Sequence, residues 1–93
     1  MNICSVRHDV ERHRFETTVE GRDCEIDYRL SGKVMTITHT GVPAPVGGRG
    51  IAAEMTRFAL ETARANGWKV VPACSYAAAY MTRHREFDDL RMR

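Results

Sequence analysis

Residues 43–50 read Pro-Ala-Pro-Val-Gly-Gly-Arg-Gly, and no regular element can run through them. The prolines lack a backbone N–H, and the glycines raise the entropic cost of any helix or strand that includes them. The apolar spacing also changes across this junction. Before it, Cys24, Ile26, Tyr28 and Leu30 alternate with Asp23, Glu25, Asp27 and Arg29, the period of a half-buried strand. After it, Ile51, Met55, Phe58, Ala59 and Thr62 fall on one side of a helix. Glu54, Arg57, Glu61 and Arg64 fall within an arc of about 80° on the other side. The chain is therefore β before the junction and begins an α segment directly after it.

The remaining elements follow from local chemistry. Arg14 to Val19 is β-rich, and Glu20-Gly21 supplies a turn. Ser31-Gly32 marks a second turn, and Val34 to Val42 a long strand rich in Thr, Val and Ile. A short strand around Cys4 to Arg7 is expected before these. Asn66-Gly67 ends the main helix. Trp68 to Cys74 reads as a short buried strand, and Ser75 is expected to cap a helix from Tyr76 to about His84. Glu86 to Arg93 is charged and expected to be peripheral.

The predicted fold is α/β (α+β): a mixed, mostly antiparallel sheet of about five strands with two helices, in one domain over 1–93. Its parts are a meander over 1–42, a turn over 43–52, a helix over 51–66, a strand over 68–74 and a helix over 75–84. The unit at 34–74 is a crossover that places its two strands in parallel. Pro72 cannot donate to their ladder, so the strands are expected to splay near it and open a slot.

Bulk properties remove several function classes. The 93 residues suffice for one small domain. A net charge of +2, with scattered arginines and only two lysines, gives no basic arm for nucleic acid. No apolar run approaches the roughly 20 residues that span a bilayer, and the N-terminus has no signal-like apolar stretch. A cytoplasmic location is expected. Cys4, Cys24 and Cys74 are odd in number and far apart, which fits a reducing compartment better than a disulfide framework. No Cys or His spacing suits zinc, and no Gly-x-Ser-x-Gly elbow supports a serine hydrolase. Glu16, Glu20, Asp23, Glu25 and Asp27 make an acidic belt. It reads as a solvated face or as an attractor for a cationic amine.

A glycine turn that opens a helix exposes backbone N–H groups at the positive end of the dipole, where phosphate binds. It is not a dinucleotide fingerprint here, because no Asp or Glu occurs between Glu61 and Glu86 to hold a ribose. It is not a P-loop either, since no Lys-Ser or Lys-Thr follows. Locally, a phosphate cradle and a ligand-free connection both remain open.

Wider spacing resembles the GCN5-related N-acetyltransferase superfamily. Its pyrophosphate signature is Arg/Gln-x-x-Gly-x-Gly/Ala, and the matching run here is Gly47-Gly48-Arg49-Gly50-Ile51-Ala52. Gly50 and Ala52 match, whereas Gly47 stands where Arg or Gln is preferred, which removes one side-chain anchor. Arg14-Phe15, His39-Thr40-Gly41-Val42-Pro43 and Pro72-Ala73-Cys74-Ser75-Tyr76 extend the likeness. They point to the short single-domain branch similar to human N-acetyltransferase domain-containing protein 1.

The resemblance implies a CoA thioester, acetyl-CoA, as cofactor and an unidentified amine as acceptor, with no nucleic acid or membrane partner. Pyrophosphate would rest on the turn, Gly47, Gly48, Arg49, Gly50, Ile51 and Ala52. The pantetheine arm would run along backbone that includes Thr40 and Val42. Cys74, just before a helix N-terminus, is a candidate nucleophile because the dipole favours a thiolate. It is equally a small apolar plug. His39 is the candidate base or a core histidine. Tyr76 and Tyr80, one turn apart, are candidate acids for the departing thiolate or simply packing. The rival to an enzyme is a CoA-binding module without efficient catalysis.

Overall fold

The computed structural model describes residues 5–92. Five strands, β1 (Arg7–Asp9), β2 (Arg14–Val19), β3 (Arg22–Ser31), β4 (Val34–Gly41) and β5 (Lys69–Pro72), form one sheet in sequence order. The first four pair antiparallel, and β4 pairs with β5 in parallel across the crossover. The connection holds a single 3-10 turn, Ala44–Val46, and the helix α1 (Ile51–Asn66). The second helix is α2 (Ser75–Arg83), followed by a 3-10 segment, Arg85–Leu90. The first strand begins later than expected, and Cys4 lies outside the described residues.

Alternation along the strands builds the core. Phe15, Ile26, Tyr28, Met35, Ile37 and Val70 point to one face, where α1 and α2 cover them. The opposite face carries Arg14, Glu16, Glu25, Asp27 and His39, and no helix packs on it. The buried stripe of α1 is wider than the sequence suggested. It centres on Ala59 and takes in Thr56, Leu60 and Ala63, while Phe58 sits at its rim, edge-on to Phe15 at 5.8 Å. The physical reason is that α1 packs against the sheet, α2 and the C-terminal 3-10 segment together. Glu54, Arg57 and Glu61 remain on the wet side, joined by Arg57.

Two boundaries correct the sequence reading. Cys74, not Ser75, is the N-cap of α2, and its Sγ accepts from the Ala77 N–H at 3.4 Å. Ala73 and Cys74 both donate their N–H to the Ile37 carbonyl, so the chain turns away from the sheet one residue early. The C-terminal segment is not peripheral. Phe87 and Leu90 are 4% and 5% exposed, and the Met92 N–H donates to Val70 O at 2.8 Å along the edge of β5. In a 3-10 helix residues three apart eclipse, so this pair shares one side.

At the β1 end, His8 stacks on Phe15 with centroids 4.2 Å apart, and its Nε2 lies 2.7 Å from the Tyr28 hydroxyl. Burial lowers its pKa below the ordinary 6.5, helped by His13 and opposed by Asp9. The unfolded chain therefore binds this proton more readily than the folded one. The neutral ring's contribution is complete above pH 6.5 and is lost as pH falls below that value toward the folded pKa. Melting curves of the protein and of His8→Gln between pH 7.5 and 5.5 should show the stability difference shrinking as acid is added. A difference that grows with acid would contradict the burial assignment.

Candidate functional site

The parallel ladder stops at Ile37 and Pro72. Pro72 has no N–H to continue it. The residue pairing of β4 with β3 also shifts at this point: Tyr28 faces Ile37, whereas Asp27 faces His39, leaving Thr38 as an extra residue. Such a bulge bends its strand and sharpens the local twist. From Thr38 to Gly41, β4 has no β5 partner, because β5 ends at Pro72.

The bulge also decides where side chains go. Strict alternation from Met35 and Ile37 would send His39 into the core. The extra residue reverses the faces: Thr40 pairs with Ile26 on the covered side, and His39 turns to the bare face. There the His39 side chain is 55% exposed, with Nε2 3.1 Å from Glu25 Oε2. Thr40 Oγ1 lies 3.3 Å from Cys74 Sγ, joining β4 to the N-cap of α2. His39 and Cys74 thus occupy opposite sides of β4, and no hydrogen bond joins them.

Beyond β4, the chain makes its 3-10 turn and reaches Gly48 and Gly50, at φ values of 77° and 78°. Only glycine adopts this left-handed region at little cost. Gly50 is the N-cap of α1, and no side chain caps the helix. Among the described residues, no protein group accepts from the N–H groups of Gly48 through Ala53. These donors border a cavity of about 210 Å³ lined by Val42, Gly47, Gly48, Gly50, Ile51 and Ala52, with Ala53 and Tyr76 completing it. A Cβ on Gly48 would meet nothing within 4 Å, so the approach to the amides is open. Donor set, dipole and space all suit an anionic diphosphate.

The other expected contacts are placed differently. Arg49 does not line the cavity. Its guanidinium pairs with Glu20 in the β2–β3 turn and holds that carboxyl below the usual range. Thr40 lies at the sulfur rather than in the cavity. Tyr76 reaches the cavity, and burial raises its phenol pKa. Tyr80 does not reach it. Its ring is 3% exposed and stacks on His84 at 3.9 Å in the core. The sequence marks Glu25 only as one of five residues in an acidic belt and does not assign Ala53 to the site, because their places depend on the β3–β4 register and on the helix cap.

Among the described residues, no three His, Cys, Asp or Glu side chains converge as a metal site. No described helix is long and apolar enough to cross a membrane.

Residues 14–90 match the model of the family described as GCN5-related N-acetyl-transferase. The fold matches the NMR solution structure of a GCN5-like protein from Staphylococcus aureus with a TM-score of 0.76 at 24% identity. That match covers 99% of this chain and 91% of the other. Taken with the uncapped glycine turn and the parallel pairing of β4 with β5, the family match over most of the chain identifies it as a GCN5-related N-acetyltransferase, an acyltransferase of compact mixed-sheet fold.

Proposed function

We propose that the protein transfers the acetyl group of acetyl-CoA to a primary amine. The observation that carries this reading is the uncapped N–H groups of Gly48, Gly50, Ile51, Ala52 and Ala53, residues that line one cavity together with Val42 and Tyr76. The amides would hold the diphosphate. The pantetheine arm would enter beside the unpaired stretch Thr38–Gly41, whose backbone is free of β5 and able to orient the thioester.

Acceptor chemistry then needs a base and an acid. His39 takes a proton from the amine as its nitrogen bonds to the thioester carbonyl carbon. The C–S bond breaks, and the thiolate receives a proton from Tyr76, whose buried phenol stays protonated at neutral pH. His39 returns its proton to water, and water reprotonates Tyr76. The products are an amide and free CoA. Reduced thiols and this substrate fit a cytosolic setting.

A thermal-shift screen with acetyl-CoA, CoA, ATP and NAD tests the proposal. A ligand at 100 times its Kd stabilises by about 2.7 kcal/mol, a rise of roughly 10 °C or more for a domain this small. Acetyl-CoA and CoA should give this shift, and ATP and NAD much less. No shift with acetyl-CoA would remove the assignment.

The bare outer face of the sheet supports a second reading, a CoA-binding module with no walled acceptor site. Equal affinity for CoA and acetyl-CoA without turnover on any amine would favour it. The Cys74 sulfur at the α2 cap supports a two-step variant of the transfer. A mass gain of about 42 Da with acetyl-CoA alone, absent in Cys74→Ala, would select that route over direct attack.

A further inference from the structure

We propose that Glu25 is a positioning residue: it holds His39 in one tautomer and orientation as the base for the acceptor amine, and Gly41 is glycine to make room for this pair. The inference rests on the acetyltransferase reading above and adds to it the orienting group.

The pairing of strands leads to the dyad. On the bare face, Asp9, Arg14, Asp27 and His39 lie in one cross-strand row, and Arg7, Glu16, Glu25 and Gly41 in the next. Asp27 is directly opposite His39 and would be its natural partner. Arg14 occupies it instead, with Nε 2.7 Å from Asp27 Oδ1. Glu25, opposite a residue with no side chain, is left to lean across Gly41 to His39. A Cβ built on Gly41 would sit 2.9 Å from His39 Nε2 and would overlap Glu25 Oε2 outright. The dyad fills the volume that any other residue at 41 would need.

The chemistry of the contact selects the tautomer. An ionised carboxylate only accepts, so His39 must donate through Nε2–H. The neutral ring then carries its lone pair on Nδ1, away from Glu25. That is the arrangement of a base fixed by a carboxylate behind it. The dyad stands on the segment of β4 that runs past the end of β5. As the base forms an imidazolium on accepting the amine proton, the Glu25 carboxylate stabilises the new charge.

The experiment uses the full chain with acetyl-CoA and a panel of primary amines: spermidine, ethanolamine, lysine and glycylglycine. Variants are Glu25→Ala, Gly41→Ala, His39→Gln and the double variant Glu25→Ala/His39→Gln. His39→Gln should lower kcat about 100-fold. Glu25→Ala should lower it about 10-fold with the acetyl-CoA KM unchanged, Gly41→Ala should lower it by a similar factor, and the double variant should be no slower than His39→Gln. Long-range proton–nitrogen NMR spectra of the unmodified protein above neutral pH should show His39 as a single Nε2–H form, and Gly41→Ala should show both tautomers. Additive losses in the double variant, unchanged kcat in Glu25→Ala, or mixed tautomers in the unmodified protein would overturn the proposal. Acetyl-CoA that binds without acetylating any panel amine would overturn the dyad's role and leave the CoA site standing. Failure of acetyl-CoA to bind would instead overturn the parent reading.

Discussion

Gly50→Val is expected to abolish the thermal response to acetyl-CoA, with a loss of affinity of at least about 100-fold. Gly50 sits at φ 78° as the N-cap of α1, where a β-branched residue is strained by about 1–2 kcal/mol. The strain lowers stability but does not by itself remove a ligand. The larger effect comes from the site: a branched side chain pulls the cap out of its left-handed conformation and scatters the amides of Ile51 to Ala53 that face the cavity. Gly67→Ala separates the two contributions. Gly67 caps the other end of the same helix at φ 72°, and a Cβ there meets nothing within 4 Å. It should cost a comparable stability of about 1 kcal/mol while leaving the acetyl-CoA shift intact. Calorimetric titration of both variants against acetyl-CoA checks the pair. Undiminished binding by Gly50→Val would mean that the diphosphate rests elsewhere.

Phe87→Ala should destabilise the protein by about 3–4 kcal/mol, the usual range for emptying a buried aromatic site. Its ring is 4% exposed, 6.4 Å from that of Tyr80, and covered by the Arg64 guanidinium at 5.6 Å from the ring centroid. Arg64 is fixed in turn by Asp89 Oδ2 at 2.7 Å and by the Glu86 carbonyl at 2.9 Å. The segment is therefore fastened to α1 from both polar and apolar sides. For a domain of this size the loss corresponds to a fall in melting temperature of roughly 12 °C or more. Met92→Ala, at a position 48% exposed, should change stability by no more than about 0.5 kcal/mol. Thermal or urea unfolding distinguishes the two. Equal small effects would mean that the C-terminal segment is detached in solution.

Parts of the site were legible in the residues and parts were not. The glycine turn could be read because proline and glycine have strong local conformational requirements, and Gly48, Gly50, Ile51 and Ala52 do border the cavity. Arg49 could not be placed, since its partner Glu20 is 29 residues away and meets it only in the folded chain. The two tyrosines share a helix and a spacing that treats them alike. Only the packing of α2 separates them, sending Tyr76 to the cavity and Tyr80 into the core. The buried side of α1 is wider than its apolar period marks, because a periodicity shows which residues share a face but not how many neighbours that face must meet.

By itself the sequence determined the order of the strands and the two α-helices, the break at residues 43–50 and the end of the parallel ladder at Pro72. Each depends on local rules: alternation, helical period, a missing N–H, a permitted φ. Only the tertiary structure decided which way His39 points, that Glu25 rather than Asp27 holds it, and that Cys74 meets Thr40. These are consequences of register, and one extra residue at Thr38 reverses every side chain beyond it. A bulge arises from strands distant in sequence settling against each other, so no local pattern specifies it.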